Sequence, residues 1–164
     1  MLKSSVILLI LFSLFPSEVN DEGVVESEMT DAVIKEVCLM DNDCRLLVEA
    51  GYKEARSESD AGVVAVMYTI LERKKDPHRW GNNIEDVLSA KNQFEYRANG
   101  AMMSGFKDTG QVDRIAKLAY GVLVGDIINP VPKANHFHTT KLKRVWTKNM
   151  RVVAVIGNHV FFEG

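Results

Sequence analysis

Five side chains of this sequence stand out as candidates for proton transfer or ligand binding: Glu54, Glu58, Gln93, His136 and His138. Glu54 has the strongest physical case. Residues 43–55 carry Leu47, Ala50, Gly51 and Glu54 at the i, i+3, i+4, i+7 spacing of one helix face, so the glutamate continues the apolar side. It also falls in the last turn of that helix. Burial and the negative end of the helix dipole both disfavour a charged carboxylate, which is how an acid stays protonated near neutral pH. The same carboxylate can instead pair with Arg56 or Lys53 at the helix end. His136 and His138 alternate along an extended segment and share a face, where they can contact a substrate. With His159 or a carboxylate they can also hold Zn²⁺, although no compact motif such as H-E-x-x-H is present. Gln93 can donate and accept hydrogen bonds, in a site or merely along a strand. Phe94 and Tyr96 offer aromatic faces, one of which is expected in the core.

The elements that must position these groups follow from periodicity and punctuation. Residues 30–40 have a capping Thr30 and apolar Val33, Ile34 and Val37 at helical spacing. The second helix, 43–55, places Lys53 four residues after Glu49 in what reads as an ordinary exposed pair. Ser59 or Asp60 can cap a third helix from 61 to about 74, apolar on nearly all sides until Glu72 and therefore central. Pro77, "WGNN" and residues 84–90 read as irregular structure. Residues 111–124 put Val112, Ile115, Ala116, Ala119, Val122 and Leu123 on one face, with Gly125 as the stop. Two β-rich runs flank Gly157-Asn158, a hairpin signal. The expected class is α+β, mostly helical with a C-terminal β-hairpin.

The N-terminus is of another kind. Lys3 precedes an uncharged stretch from Ser4 to Phe15, too short to span a bilayer comfortably and of secretory length. Residues 1–17 are expected to be a signal peptide or signal anchor, 18–30 an acidic spacer, and 31–164 the folded domain. The net charge of −2 conceals an asymmetry: residues 1–31 hold one basic and six acidic side chains, the remainder 19 basic and 16 acidic. A mildly basic body suits a polyanionic envelope polymer. No basic stripe supports nucleic-acid binding, and "RKK" at 73–75 reads as the wet C-terminal end of a helix. Met102-Met103 reads as a core plug or a loop edge. Cys38 and Cys44 can close a small disulfide loop in an exported chain, or remain buried thiols.

Five ordered pieces then resemble one family. "YKEARSE" (52–58) with "GVVAV" (62–66), "QFEY" (93–96), "ANHFH" (134–138), Val145-Trp146 and "IGNHVFF" (156–162) resemble the motifs of the SleB-like cell wall hydrolases, over about Leu46 to Phe162. Ser57 stands where the family usually has Gly, Val63 where it often has Gln, and Glu95-Tyr96 replaces Ser-Trp. The resemblance implies a small lysozyme-like or lytic transglycosylase-like domain that cleaves peptidoglycan between N-acetylmuramic acid and N-acetylglucosamine. Glu54 would be the general acid and base, and Glu58, Gln93, Phe94, Tyr96, His136 and His138 would contact substrate. Gln93 would reach the acetamido group. A hydrolase needs a second carboxylate, for which Glu58, Asp60 and Glu95 are candidates, whereas a transglycosylase does not; Glu58 can equally hold the turn together by capping or by pairing with an arginine. The single-acid scheme is preferred, without metal or other cofactor. The expected partner is peptidoglycan, with no nucleic acid and a membrane touched only through the N-terminal signal. The protein is expected to act outside the cytoplasm, in periplasm, cell wall or medium, as a monomer. The competing readings are a zinc-dependent peptidoglycan amidase or peptidase using His136 and His138, and a non-catalytic peptidoglycan binder.

Overall fold

The computed structural model describes residues 29–94, 96–97, 106–142 and 144–164. The expected signal segment 1–17, most of the spacer 18–30, Glu95 and Met102-Met103 lie outside them. Residues 31–164 cluster as one compact unit.

The helical part begins with α1 (Asp31–Met40) and α2 (Asn42–Ala55), separated only by Asp41. Asp41 ends one helix and caps the next, its carboxylate accepting from Cys44 N–H at 2.8 Å. A disulfide between Cys38 and Cys44, with Cα atoms 5.1 Å apart, fixes this corner. Closing so short a loop stabilises by roughly 2 kcal/mol in the chain-entropy picture. Helix α3 (Asp60–Arg73) is buried on most sides, and Ser59 accepts from Gly62 N–H as its cap. Gly51 lies where α2 passes α3 and α6 (Thr109–Val124). A Cβ there would stand 3.0 Å from Ile115 and 3.1 Å from both Met67 and Val63, so the absence of a side chain sets the approach of three helices.

Several expectations need correction here. Residues read as irregular contain two short helices, α4 (Pro77–Trp80) and α5 (Ile84–Ser89). Proline is tolerated in the first turn of α4, and Asn83 caps α5 by accepting from Asp86 N–H. Glu49 is not exposed beside Lys53: it is 1 % exposed and lies 3.5 Å from the Arg97 Nε. Arg97 also holds Glu85 at 3.0 Å, tying the segment after α5 back to α2. Leu123 sits on the solvent side of α6, because the buried stripe ends at Val122 before Gly125 closes the helix at φ 89°.

The β part is a three-stranded antiparallel sheet rather than a hairpin alone. Its order is β1 (His136–Thr139), β3 (His159–Glu163), β2 (Arg151–Ile156). The β2–β3 hairpin turns at Gly157 (φ 56°) and Asn158, as the dipeptide signals. Central β3 buries Phe161 in the helical core, and β1 pairs His136 with Phe162 and Thr139 with His159. The sheet therefore carries the histidine-bearing strand against α3 and α4.

Candidate active site

A cleft of about 810 Å³ opens where the C-terminal ends of α2 and α3 meet α4, the turn after α5 and the sheet. Glu54, in the last turn of α2, lines it and is half-buried, while its neighbour Lys53 points to solvent. The Arg56 guanidinium donates to the Tyr52 carbonyl at 3.2 Å and lies over the Tyr52 ring. Gln93 reaches the cleft from a turn in which Asn92 takes φ 64°, a left-handed conformation that asparagine tolerates.

His136 and His138 line the same cleft from β1, and both rings touch Trp146, at 5.6 and 5.7 Å between centroids. His136 is 8 % exposed and sits between Trp80 and Trp146. Its Nε2 faces Arg79 Nη2 at 3.1 Å and its Nδ1 faces the Asn135 amide oxygen at 2.6 Å. A guanidinium only donates, so Nε2 accepts and Nδ1 carries the proton. Burial, with Arg73 and Arg79 nearby, lowers the His136 pKa to about 4, so the ring is neutral at physiological pH. His138 donates from Nδ1 to the Thr139 carbonyl at 2.8 Å. Both nitrogens of His136 are thus engaged, one by a cation, which suits a metal ion poorly. Among the described residues no group of three His, Cys, Asp or Glu is arranged to hold one.

Three expected contact residues are placed differently. Glu58 turns away from the cleft and accepts from both the backbone N–H and the side-chain amide of Asn158, each at 3.0 Å. Those two hydrogen bonds hold its carboxyl below the usual carboxylate range, with the His159 ring 3.9 Å away. Its site is a brace between the α2–α3 turn and the hairpin. Phe94 is 2 % exposed and lies in the core beneath Arg73, because the aromatic face is worth more buried than wet. Tyr96 packs edge-on against Phe94 at 6.0 Å, and neither ring lines the cleft. Asp60 is taken up by Arg114 at 2.6 Å.

Other residues do line it. Trp146, 46 % exposed in a 3₁₀ turn (Val145–Thr147), is the open aromatic surface of the cleft. Arg73, Arg79 and Arg144 bring three guanidinium groups. Arg73 is not the wet helix end that "RKK" suggests: it is 5 % exposed and its Nε donates to the Asn135 carbonyl at 2.7 Å. Its position was legible only as the continuation of Thr69 and Ile70 on the buried face of α3. Asn135 is a hub, since its side chain also holds both backbone groups of Gly164, at 2.7 and 3.0 Å. Among the described residues the walls thus combine a carboxyl, imidazoles, side-chain amides, guanidinium cations and indoles. That set can move a proton to or from an oxygen while hydrogen-bonding and stacking a polyhydroxylated ligand.

Comparison with known proteins bears on this arrangement. A family model described as Cell Wall Hydrolase matches residues 57–162, beginning three residues after Glu54. The fold is similar to the catalytic domain of the Bacillus cereus SleB protein, with TM-score 0.59 and 23 % identity, covering 74 % of this chain and 90 % of that one. It is also similar to the catalytic domain of the germination-specific lytic transglycosylase SleB from Bacillus anthracis, with TM-score 0.58 and 20 % identity, covering 85 % and 100 %. No curated protein matches the sequence significantly. At such identities the structural likeness speaks to the fold.

Proposed function

Since the chain belongs to the cell wall hydrolase family, we propose that it is a peptidoglycan lytic transglycosylase, cleaving between N-acetylmuramic acid and N-acetylglucosamine with Glu54 as its general acid and base. The observation that carries this reading is a count of carboxylates: among the described residues, Glu54 alone lines the cleft, while Glu58 and Asp60 are committed elsewhere and Glu95 lies outside the described residues. Protonating the glycosidic oxygen needs one acid, as positive charge develops on the sugar ring. A hydrolase then asks for a second carboxylate to activate water or to attack. In the transglycosylase route the 6-hydroxyl of the muramic residue attacks its own C1. The C1–O bond breaks, the leaving oxygen takes the Glu54 proton, and the carboxylate removes the hydroxyl proton. A 1,6-anhydro ring results with no water consumed.

The remaining walls have roles in positioning. Trp146 gives a face on which a sugar ring can stack, and Gln93 and His138 can hydrogen-bond its substituents. His136, held by Arg79 and Asn135, keeps Trp146 and β1 in place. The substrate of such an enzyme lies outside the cytoplasmic membrane. Residues 1–17 would carry the chain there, as a cleaved signal or an anchor, and the Cys38–Cys44 disulfide fits an oxidising compartment. The protein would act as a monomer.

The test is digestion of purified peptidoglycan by the protein and by Glu54→Gln, with the released muropeptides weighed by mass spectrometry. We expect products one water lighter than reducing muropeptides, and a loss of about 10²–10⁴-fold in rate for the variant, the range of general acid–base catalysis. Reducing ends would mean hydrolysis instead, and free peptides would overturn the glycosidase reading.

A further inference from the structure

We propose that Arg73, Arg79 and Arg144 form a carboxylate-binding subsite within the cleft, one that recognises anionic groups carried by the muramic residues of the strand. This rests on the preceding reading of the cleft as a glycan site, and adds a second, electrostatic element to its specificity.

The first observation is that like charges are gathered where repulsion disfavours them. Arg73 and Arg79 both lie over the Trp80 indole, with guanidinium carbons 4.5 and 4.7 Å from its centroid. Cation–π attraction holds each in place without cancelling its charge. Arg144 adds a third cation from the segment before Trp146. Among the described residues one carboxyl, Glu54, lines the same walls, leaving two positive charges in excess when Glu54 is ionised. As the acid that begins the reaction Glu54 must be protonated, and then it neutralises none of them.

The second observation concerns Arg73 itself. It is 5 % exposed, its Nε donates to the Asn135 carbonyl, and its Nη1 is buried with no acceptor among the described residues. Burial, helped by Arg79 and opposed by Glu54, lowers its pKa to about 10, so it stays charged. A buried guanidinium with an unused donor costs stability unless something anionic completes it. Planar forked donors match carboxylates in geometry as well as charge.

The amino sugars of the glycan are neutral, so the anions must come from muramic substituents. Two sources share this chemistry: the carboxylates of the peptide stem, and the lactyl carboxylate bared when the stem is removed.

The test uses the full chain carrying Glu54→Gln, so that binding is read without cleavage, co-sedimented with three preparations of insoluble peptidoglycan. These are native material, material whose carboxylates have been converted to methylamides with carbodiimide and methylamine, and glycan strands freed of stems by an amidase and coupled to beads, since losing the stems also removes the cross-links. We expect native peptidoglycan to bind about tenfold more tightly than the methylamidated form, the effect of roughly one charge-assisted hydrogen bond. Adding Arg79→Gln or Arg144→Gln should bring the two within about twofold, while Arg144→Lys keeps part of the preference. Binding retained on stripped strands assigns the lactyl carboxylate, and binding lost there assigns the stem. Equal affinity for native and methylamidated peptidoglycan, or a preference untouched by both arginine-to-glutamine changes, overturns the subsite. A failure of strand cleavage with the preference intact would strike the transglycosylase reading and leave the subsite standing.

Discussion

At the scale of single residues, the cleft sets protonation states that can be read from stability. The His136 pKa falls from 6.5 to about 4 in the fold, so the unfolded chain takes up a proton at higher pH than the native one. The neutral ring therefore contributes stability that is full above about pH 6.5 and lost as the pH falls toward 4. The shift corresponds to on the order of 2–3 kcal/mol for this largely buried ring. Urea unfolding between pH 7.5 and 4 should show that decline, and His136→Gln, which cannot titrate, should reduce it, leaving the share of His159, whose buried ring is also held below its usual pKa. Glu58, held below 4.5 by Asn158, adds a separate loss further down, when its carboxylate is protonated. The variant and the pH window distinguish the two groups. Legibility in the sequence divides along similar lines. Glu54 could be found because a carboxylate on the apolar face of an amphipathic helix violates a local pattern. Arg73 differs from Lys74 and Lys75 in sequence only by its helical spacing from Thr69 and Ile70, a faint signal where three adjacent charges otherwise look alike until the partners of a buried helix fix its register.

At the scale of elements, the decisive contacts are long-range, and that is why they were hidden. Glu58 and Asn158 are 100 residues apart, so nothing near Glu58 announced that it would grip a hairpin. Caps and turns, in contrast, carry their reasons locally: Ser59, Asn83, Gly125 and Gly157 each do what their residue type favours. The short strand β1 was legible only as an extended segment, because four residues acquire a partner only once β3 lies beside them. The Glu58 brace makes a prediction of its own. Glu58→Ala leaves the Asn158 N–H without its acceptor and should cost about 1–3 kcal/mol, measured by denaturant unfolding. The rate per folded molecule should fall far less than in Glu54→Gln, as befits a brace rather than a second catalytic carboxylate. Gly157→Ala should destabilise for two reasons: φ is 56°, and its Cβ would collide with Glu58 Oε2. Removing Glu58 relieves the collision but not the backbone strain. The double variant should accordingly be more stable than the sum of the single losses implies.

At the scale of the whole molecule, charge is distributed unevenly along the chain, and the imbalance has a measurable consequence. Residues 1–30 carry one basic and five acidic side chains, so residues 31–164 have a net charge of +2 where the entire chain has −2. The compact unit 31–164 includes both ends of the Cys38–Cys44 bridge, every wall of the cleft and the whole sheet. A protein beginning at Asp31 should keep the melting temperature of the full chain within about 2 °C, since surface changes away from packed features rarely exceed 0.5 kcal/mol. Its affinity for native peptidoglycan should differ. Removing a net charge of −4 weakens repulsion from a polymer rich in carboxylates, and binding at low ionic strength should tighten several-fold. At about 0.5 M salt the Debye length shrinks to a few ångströms and the two forms should bind alike. Co-sedimentation across a salt series reads this directly. A difference that persists at high salt would mean that residues 1–30 affect binding through contacts rather than charge. An unstable Asp31 form would mean that the fold draws on residues before it.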